Sequence, residues 1–235
     1  MQTNEVQRCF GLVSGFLSLA RQVGDERPLD LIELGPSAGL NLLWDRYRYR
    51  YQAGDWGPAD AKLELAGEER RPVPRALLEL APTVRGRLGI DLKPIDVTTE
   101  HGARLLQAFV WADQRGRLER LRRAIDALRE APPRLVQGDY VELLPELLAQ
   151  RDEGGLTVVY QTASTVYLTD EARGRLLETL EEAGAAGPLA WLSTQMPDTE
   201  DVAGGYLLEL RVWPDGEPRV IEHFDFHGAW LDWGT

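Results

Sequence analysis

Residues 30–43 read DLIELGPSAGLNLL, a short apolar run that breaks into small residues and then resumes at helical spacing. This pattern predicts strand, tight turn, helix. Glycine and other small residues let a ligand approach the backbone, and a helix start offers unpaired N–H groups and a positive dipole end to an anionic group. A turn of this kind directly after the first strand organises an α/β domain, so the rest of the chain is read outward from it.

On its N-terminal side, residues 4–22 predict a helix. Asn4 and Gln7 have capping-box spacing, and Val6, Cys9, Phe10, Val13, Phe16, Leu17 and Ala20 form one apolar face. Gly24 and Asp25 end it, and residues 29–34 form a near-continuous apolar strand of the kind covered by helices on both faces. Beyond the turn, Leu40, Leu43 and Trp44 start a helix that Asp45 and Arg46 carry to the surface. Tyr47, Tyr49 and Tyr51 then alternate with Arg46, Arg48 and Arg50, and a Gly/Pro turn at 54–58 follows. That alternation predicts a hairpin inserted at 46–66, with one packed face rather than a base-stacking surface.

A helix is expected over 75–85. Residues 87–97 predict a second core strand, or a strand that ends in a turn, because Pro94 does not suit a central ladder. Helices are expected over 99–110 and 114–130, the second presenting five arginines between Arg115 and Arg123 as a solvated face, with an anion-binding role as the alternative. A short strand over 134–137 ends in Gly138-Asp139, and a helix follows over 141–149. Residues 156–160 are the clearest buried strand of the second half. They lead into Gln161-Thr162-Ala163-Ser164-Thr165, after which Thr169 or Asp170 caps a helix that runs to Ala183. A strand over 189–193 and a hairpin pairing 206–213 with 219–226 close the chain.

The sequence therefore predicts an α/β fold: a doubly wound, mostly parallel Rossmann-like sheet with helices on both faces and a C-terminal antiparallel hairpin, in one domain over 1–235. Ligands of such sheets lie beyond the carboxyl ends of the strands, where the strand order reverses. The 235 residues allow one substantial core. A net charge of −12 argues against nucleic acid or an anionic membrane as the main partner, leaving a small-molecule or protein partner. Cys9 is the single cysteine, so neither an intramolecular disulfide nor a cysteine-rich metal site is available. No apolar run reaches transmembrane length and no secretion signal is evident, which predicts a cytoplasmic protein. The three histidines, His101, His223 and His227, have no companion ligands at metal spacing, so no metal is expected.

Glu33, Gly35, Ser37 and Gly39 give ExGxSxG, which resembles the first motif of the class I S-adenosylmethionine-dependent methyltransferases, with Ser37 in place of the middle glycine. The resemblance implies an S-adenosylmethionine cofactor. Gly35 and Gly39 would make room for it, Glu33 would fix the loop or the methionine amine, and backbone N–H groups near Ala38 would meet it. Asp91 or Asp96 would take the ribose hydroxyls, and Gly138-Asp139 the adenine amino group. Tyr160, Gln161 and Thr162, after a core strand, are placed to orient an acceptor, and His227 or His223 is an available base.

The stretches LIELGPSAGLNLLWDRYRY, GIDLKPIDV, FVWADQ and HGAWLDW also resemble a family of uncharacterised bacterial proteins known only as a domain of unknown function. That resemblance runs from Thr3 to the end. Members generally carry a further helical N-terminal part, and relative to them this chain is expected to lack a lid or substrate wall.

Two other classes compete. Gly35-Pro36-Ser37-Ala38-Gly39 matches GxSxG, the nucleophile elbow of α/β-hydrolases, with His223 or His227 and Asp198 or Asp201 as partners in the right order. A methyltransferase-like module that binds without catalysing is the other.

Overall fold

The computed structural model describes residues 5–152, 154–197 and 204–234. Its first element is a 3-10 turn, Val6–Arg8, continuing into α1, Cys9–Val23. Asn4 of the expected capping box lies outside the described residues; Glu5 caps instead, its side chain accepting from Gln7 N–H. Strand β1 is Leu29–Leu34 as expected.

The helix expected after the turn is a seven-residue 3-10 segment, Leu40–Arg46, with Leu43 outside helical geometry. Neighbouring phenols account for the loss of α-helical bonding. Tyr47 Oη donates to Leu40 O at 2.7 Å and Tyr49 Oη to Trp44 O at 2.6 Å, so both carbonyls serve side chains.

The insertion forms its own sheet from β2 (Arg48–Tyr51), β3 (Gly54–Trp56) and β4 (Glu64–Ala66), with β2 central, antiparallel to β3 and parallel to β4. Tyr47, Tyr49 and Tyr51 are buried while Arg48 pairs with Asp55 and Arg50 with Glu64. The tyrosines are core residues and present no stacking platform to a base. Strand β5, Glu68–Glu69, follows.

The expected 75–85 helix is only α2, Arg75–Leu78. Pro82 lacks an N–H and disfavours helical geometry at its predecessor, and Thr83 is already drawn to the sheet, its carbonyl accepting from Leu29 N–H at 2.8 Å. Strand β6, Val84–Asp91, then pairs in parallel with β1. Next come α3 (Glu100–Gln107), α4 (Arg115–Glu130), β7 (Arg134–Gln137), α5 (Tyr140–Ala149), β8 (Leu156–Gln161), a 3-10 turn (Thr165–Tyr167) and α6 (Asp170–Ala186). Strands β9 (Leu189–Gln195), β10 (Tyr206–Val212), β11 (Arg219–Phe224) and β12 (Trp230–Trp233) complete the order.

The large sheet runs β5-β12-β11-β10-β9-β8-β1-β6-β7. The run from β7 to β9 is wholly parallel, and β10, β11 and β12 continue it in antiparallel fashion. Successive residues of the central strands face opposite cores, as a two-residue repeat requires. Leu31, Val158, Tyr160 and Leu192 join α1 and α4 residues in one core; Ile32, Leu34, Val159 and Trp191 join α5 and α6 residues in the other. The chain is thus mixed α/β, a large mostly parallel sheet between helical layers with a C-terminal antiparallel hairpin. No helix among the described residues is long and apolar enough to cross a membrane.

From β1 the chain moves outward through β6 to β7, then returns to the other side of β1 with β8 and β9. The order therefore reverses between β1 and β8. The carboxyl ends of these two strands carry residues 35–39 and 162–164.

Candidate functional site

The turn after β1 is fastened to both neighbouring strands. Gly35 N–H donates to Ile90 O at 2.9 Å, and Ser164 Oγ, from the β8 loop, donates to Leu34 O at 2.7 Å. Gly35 has φ 72°, and a Cβ there would lie 2.6 Å from Ser164 Cβ, so only glycine lets the two loops meet. Ser37 N–H donates to Asp91 Oδ2 at 2.8 Å, and Asp91 Oδ1 accepts from Lys93 N–H at 2.8 Å. Ile95 N–H then donates to Ser37 O at 3.0 Å. Asp91, the last residue of β6, therefore clamps the turn. Ser37, Ala38 and Gly39 are buried, and Gly39 packs against Pro133 and Leu135.

Beneath the turn is a buried polar network. Glu33 is 1% exposed, and Tyr160 Oη donates to its Oε2 at 3.1 Å. Burial pushes the Glu33 carboxyl up to about 8; nearby Asp91 adds to the rise, while hydrogen bonds from Tyr160 and Asn41 and the Arg8 charge oppose it. Asn41 Nδ2 donates to Thr162 Oγ1 and its Oδ1 accepts from Cys9 Sγ, both at 3.4 Å. Arg8 donates to Thr162 O at 3.2 Å and to Phe226 O at 2.8 Å. Burial raises the Cys9 thiol and the Tyr160 phenol well above their ordinary values, so both stay protonated.

Of the residues singled out from sequence, Glu33, Gly35, Ser37, Ala38, Gly39, Asp91 and Tyr160 converge here. Gly138 adjoins them, donating its N–H to Asp91 O at 2.9 Å, and Asp139 caps α5 by accepting from Val141 N–H at 2.8 Å. Asp96 turns away: its carboxylate accepts from Thr98 N–H and Oγ1 within its own loop. Gln161 is fully buried and ties strands together, donating to Thr194 O at 2.9 Å and accepting from Ser164 N–H at 3.0 Å.

His227 is exposed and lines a separate cavity beside α4. His223 is buried on β11 against the Trp230 ring, and burial, then Arg70, lowers its pKa. Ser37 Oγ is buried and hydrogen-bonds to no described side chain, so no histidine activates it; Asp198 and Asp201 lie outside the described residues.

The sequence reading missed Arg8, Asn41 and Ala163. Asn41 lay two residues past the last glycine, a polar residue in an otherwise apolar helix start. Ala163, at φ 70°, carries no sequence signal. Ser37, at φ 57°, and Ala163 are the non-glycine residues in left-handed backbone among those described. One follows β1 and the other follows β8.

The family model described as "Uncharacterized protein conserved in bacteria (DUF2332)" matches residues 1–233. The chain belongs to that family. No curated protein matches this DUF2332 chain. Membership agrees with the resemblance of the quoted stretches and assigns no reaction. No group of three or more potential metal ligands converges among the described residues.

Proposed function

We propose that this DUF2332 chain is an S-adenosylmethionine-dependent methyltransferase with a doubly wound, Rossmann-like core, acting on a small-molecule or protein acceptor. One observation carries the reading. The two strained non-glycine residues, Ser37 and Ala163, occupy the two loops that flank the reversal of strand order, and strained backbone collects where a fold binds or reacts.

The donor set fits the cofactor in part. Ser37 Oγ is a buried hydroxyl without a partner at the turn, and the Glu33 carboxyl suits an ammonium. Asp91 stands at the carboxyl end of the strand next to β1, but two of its oxygen contacts already hold backbone. The cofactor would supply an electrophilic methyl group on a sulfonium. The protein's part is orientation and exclusion of water, which contribute several kcal/mol when the reacting atoms are held in line.

Glu33 is mostly protonated at pH 7, since its pKa is about 8. An ammonium brought against it would displace that proton, about 0.9 of one at pH 7 if the carboxyl returns to its ordinary range. Tyr160 remains a phenol and keeps its hydrogen bond to the carboxylate.

Calorimetry with S-adenosylmethionine and its demethylated product, in two buffers of different ionisation enthalpy, tests both statements. Binding with proton release, abolished by Gly39→Asp, is the expected result; no binding overturns the reading. Packing of Ser164 against Gly35 favours a second reading, a non-catalytic module whose turn is sealed. Absence of binding by either compound to the folded protein would support it.

A further inference from the structure

The arginine-rich start of α4 does not form the uniform solvated face its spacing suggests. Glu5, Asp113, Arg115, Arg117, Arg120 and His227 line a surface cavity of about 430 Å³. We propose that this cavity binds a phosphate group, free or carried on a small molecule. The proposal does not rest on the methyltransferase reading.

Four features point there. Arg117 is pinned, its Nε lying 2.7 Å from Glu5 Oε2, and Glu5 is only 3% exposed. One guanidinium is thus fixed in place. Arg115 and Arg120 have no acidic partner among the described residues, although the next arginines along the helix are engaged, Arg122 with Gln107 and Arg123 with Glu119. Arg120 Nε is buried and makes no hydrogen bond, a cost that a bound oxyanion would remove.

The helix start contributes in the same direction. Gln114, at the N-cap, makes no side-chain cap bond, and a Cβ at Gly116 would meet nothing closer than Arg120 Nη1 at 3.8 Å. The Arg115 N–H donates to Asp113 O at 3.0 Å, and what the first turn of this sixteen-residue helix adds at the cavity is its positive dipole end. His227 lines the same cavity from a loop whose N–H groups at His227 and Ala229 both donate to Asp225 Oδ1.

Charge and shape select phosphate. The three arginines outnumber Glu5 and Asp113, giving a local positive excess on a chain of net charge −12. Guanidinium forks match phosphate oxygens in pairs, and a tetrahedral dianion can serve more of these separated donors than a planar carboxylate. The volume leaves room for an organic group beside the phosphate.

The test is calorimetric titration of the full chain with inorganic phosphate, glycerol 3-phosphate and acetate. Saturable phosphate binding that weakens with added salt is expected, with acetate at least tenfold weaker. Arg120→Gln should weaken phosphate at least tenfold without lowering the melting temperature, while Arg104→Gln, on the exposed face of α3, should leave it unchanged. Should Arg120→Gln fail to fold, Arg115→Gln, on the exposed rim, gives the same readout. Tighter binding of glycerol 3-phosphate assigns the site to a phosphomonoester, and equal binding assigns it to free phosphate. Absence of saturable binding, equal binding of acetate, or equal losses in the Arg104 and Arg120 variants overturns the proposal.

Discussion

Glu33→Gln isolates the buried acid at the end of β1. The carboxyl titrates at about 8 in the folded protein, against an ordinary value of 4.5. Between those two values the native protein holds a proton that the unfolded chain has released. Each unit of rising pH therefore costs stability until Glu33 ionises in the native state as well, and below 4.5 no cost remains. From pH 5.5 to pH 8.5 this group alone removes about 3 kcal/mol.

Glutamine keeps the shape and an oxygen to accept from Tyr160, but it does not titrate. Wild-type protein and the variant should be unfolded with urea at pH 5.5, 7 and 8.5, with free energies taken by linear extrapolation. Glu222, the other strongly buried carboxyl with a raised pKa, is present in both proteins and cancels in the comparison. The variant should gain on the wild type as pH rises, by about 3 kcal/mol across the range. Parallel stability curves would refute the argument, and would mean that Glu33 stays ionised beside Arg8 or reaches water.

Two further substitutions test packing and polar burial elsewhere. Gly184→Ala would ordinarily favour a helix by about 1 kcal/mol, yet a Cβ there would stand 2.2 Å from Trp213 Cγ; net destabilisation of about 1–3 kcal/mol is expected from overpacking, read as a lower urea midpoint. Ser14→Ala removes the 2.6 Å hydrogen bond to Glu222 Oε2. The loss should be about 1–3 kcal/mol, read as a lower urea midpoint, because the change leaves a buried carboxyl without its hydroxyl partner.

Strand positions were legible where a local rule decides them. Leu29–Leu34 is an apolar run that two helical layers cover, and the alternation of Tyr47, Tyr49 and Tyr51 with arginines marked a one-sided strand whichever sheet it joined. Elements whose type depends on distant partners were misread. The segment after Gly39 has helical spacing, but whether it can be α-helical depends on phenols from the next strand taking its carbonyls. Over 79–85 the local signal was present in Pro82, and the pull of β1 on Thr83 and Val84 was not.

Within the site, acids near the end of the second core strand could be read, with Asp91 and Asp96 left as alternatives. Arg8 could not: it reaches Thr162 from 154 positions away, across an α1 packing arrangement that no local pattern encodes. The same reason hid the cavity at Arg117 and Arg120, since the sequence shows their spacing but not that Glu5 and His227 meet them.

The costs of this fold are unevenly placed. The core formed with α5 and α6 is apolar, built from Ile32, Leu34, Val159, Trp191 and their neighbours. On the opposite side, at one end of β1 and β8, the chain accepts left-handed backbone at Ser37 and Ala163, each costing on the order of 1–2 kcal/mol. It also holds a buried hydroxyl without a partner and a carboxyl that is easier to bury protonated. A glycine at 37 would relieve the backbone strain, and a glutamine at 33 would remove the titration. Such costs are a large fraction of the 5–15 kcal/mol that holds an ordinary domain together. Buried polar costs recur elsewhere, as at Glu222 on β11, but among the described residues left-handed non-glycine backbone falls only in the two loops where strand order reverses.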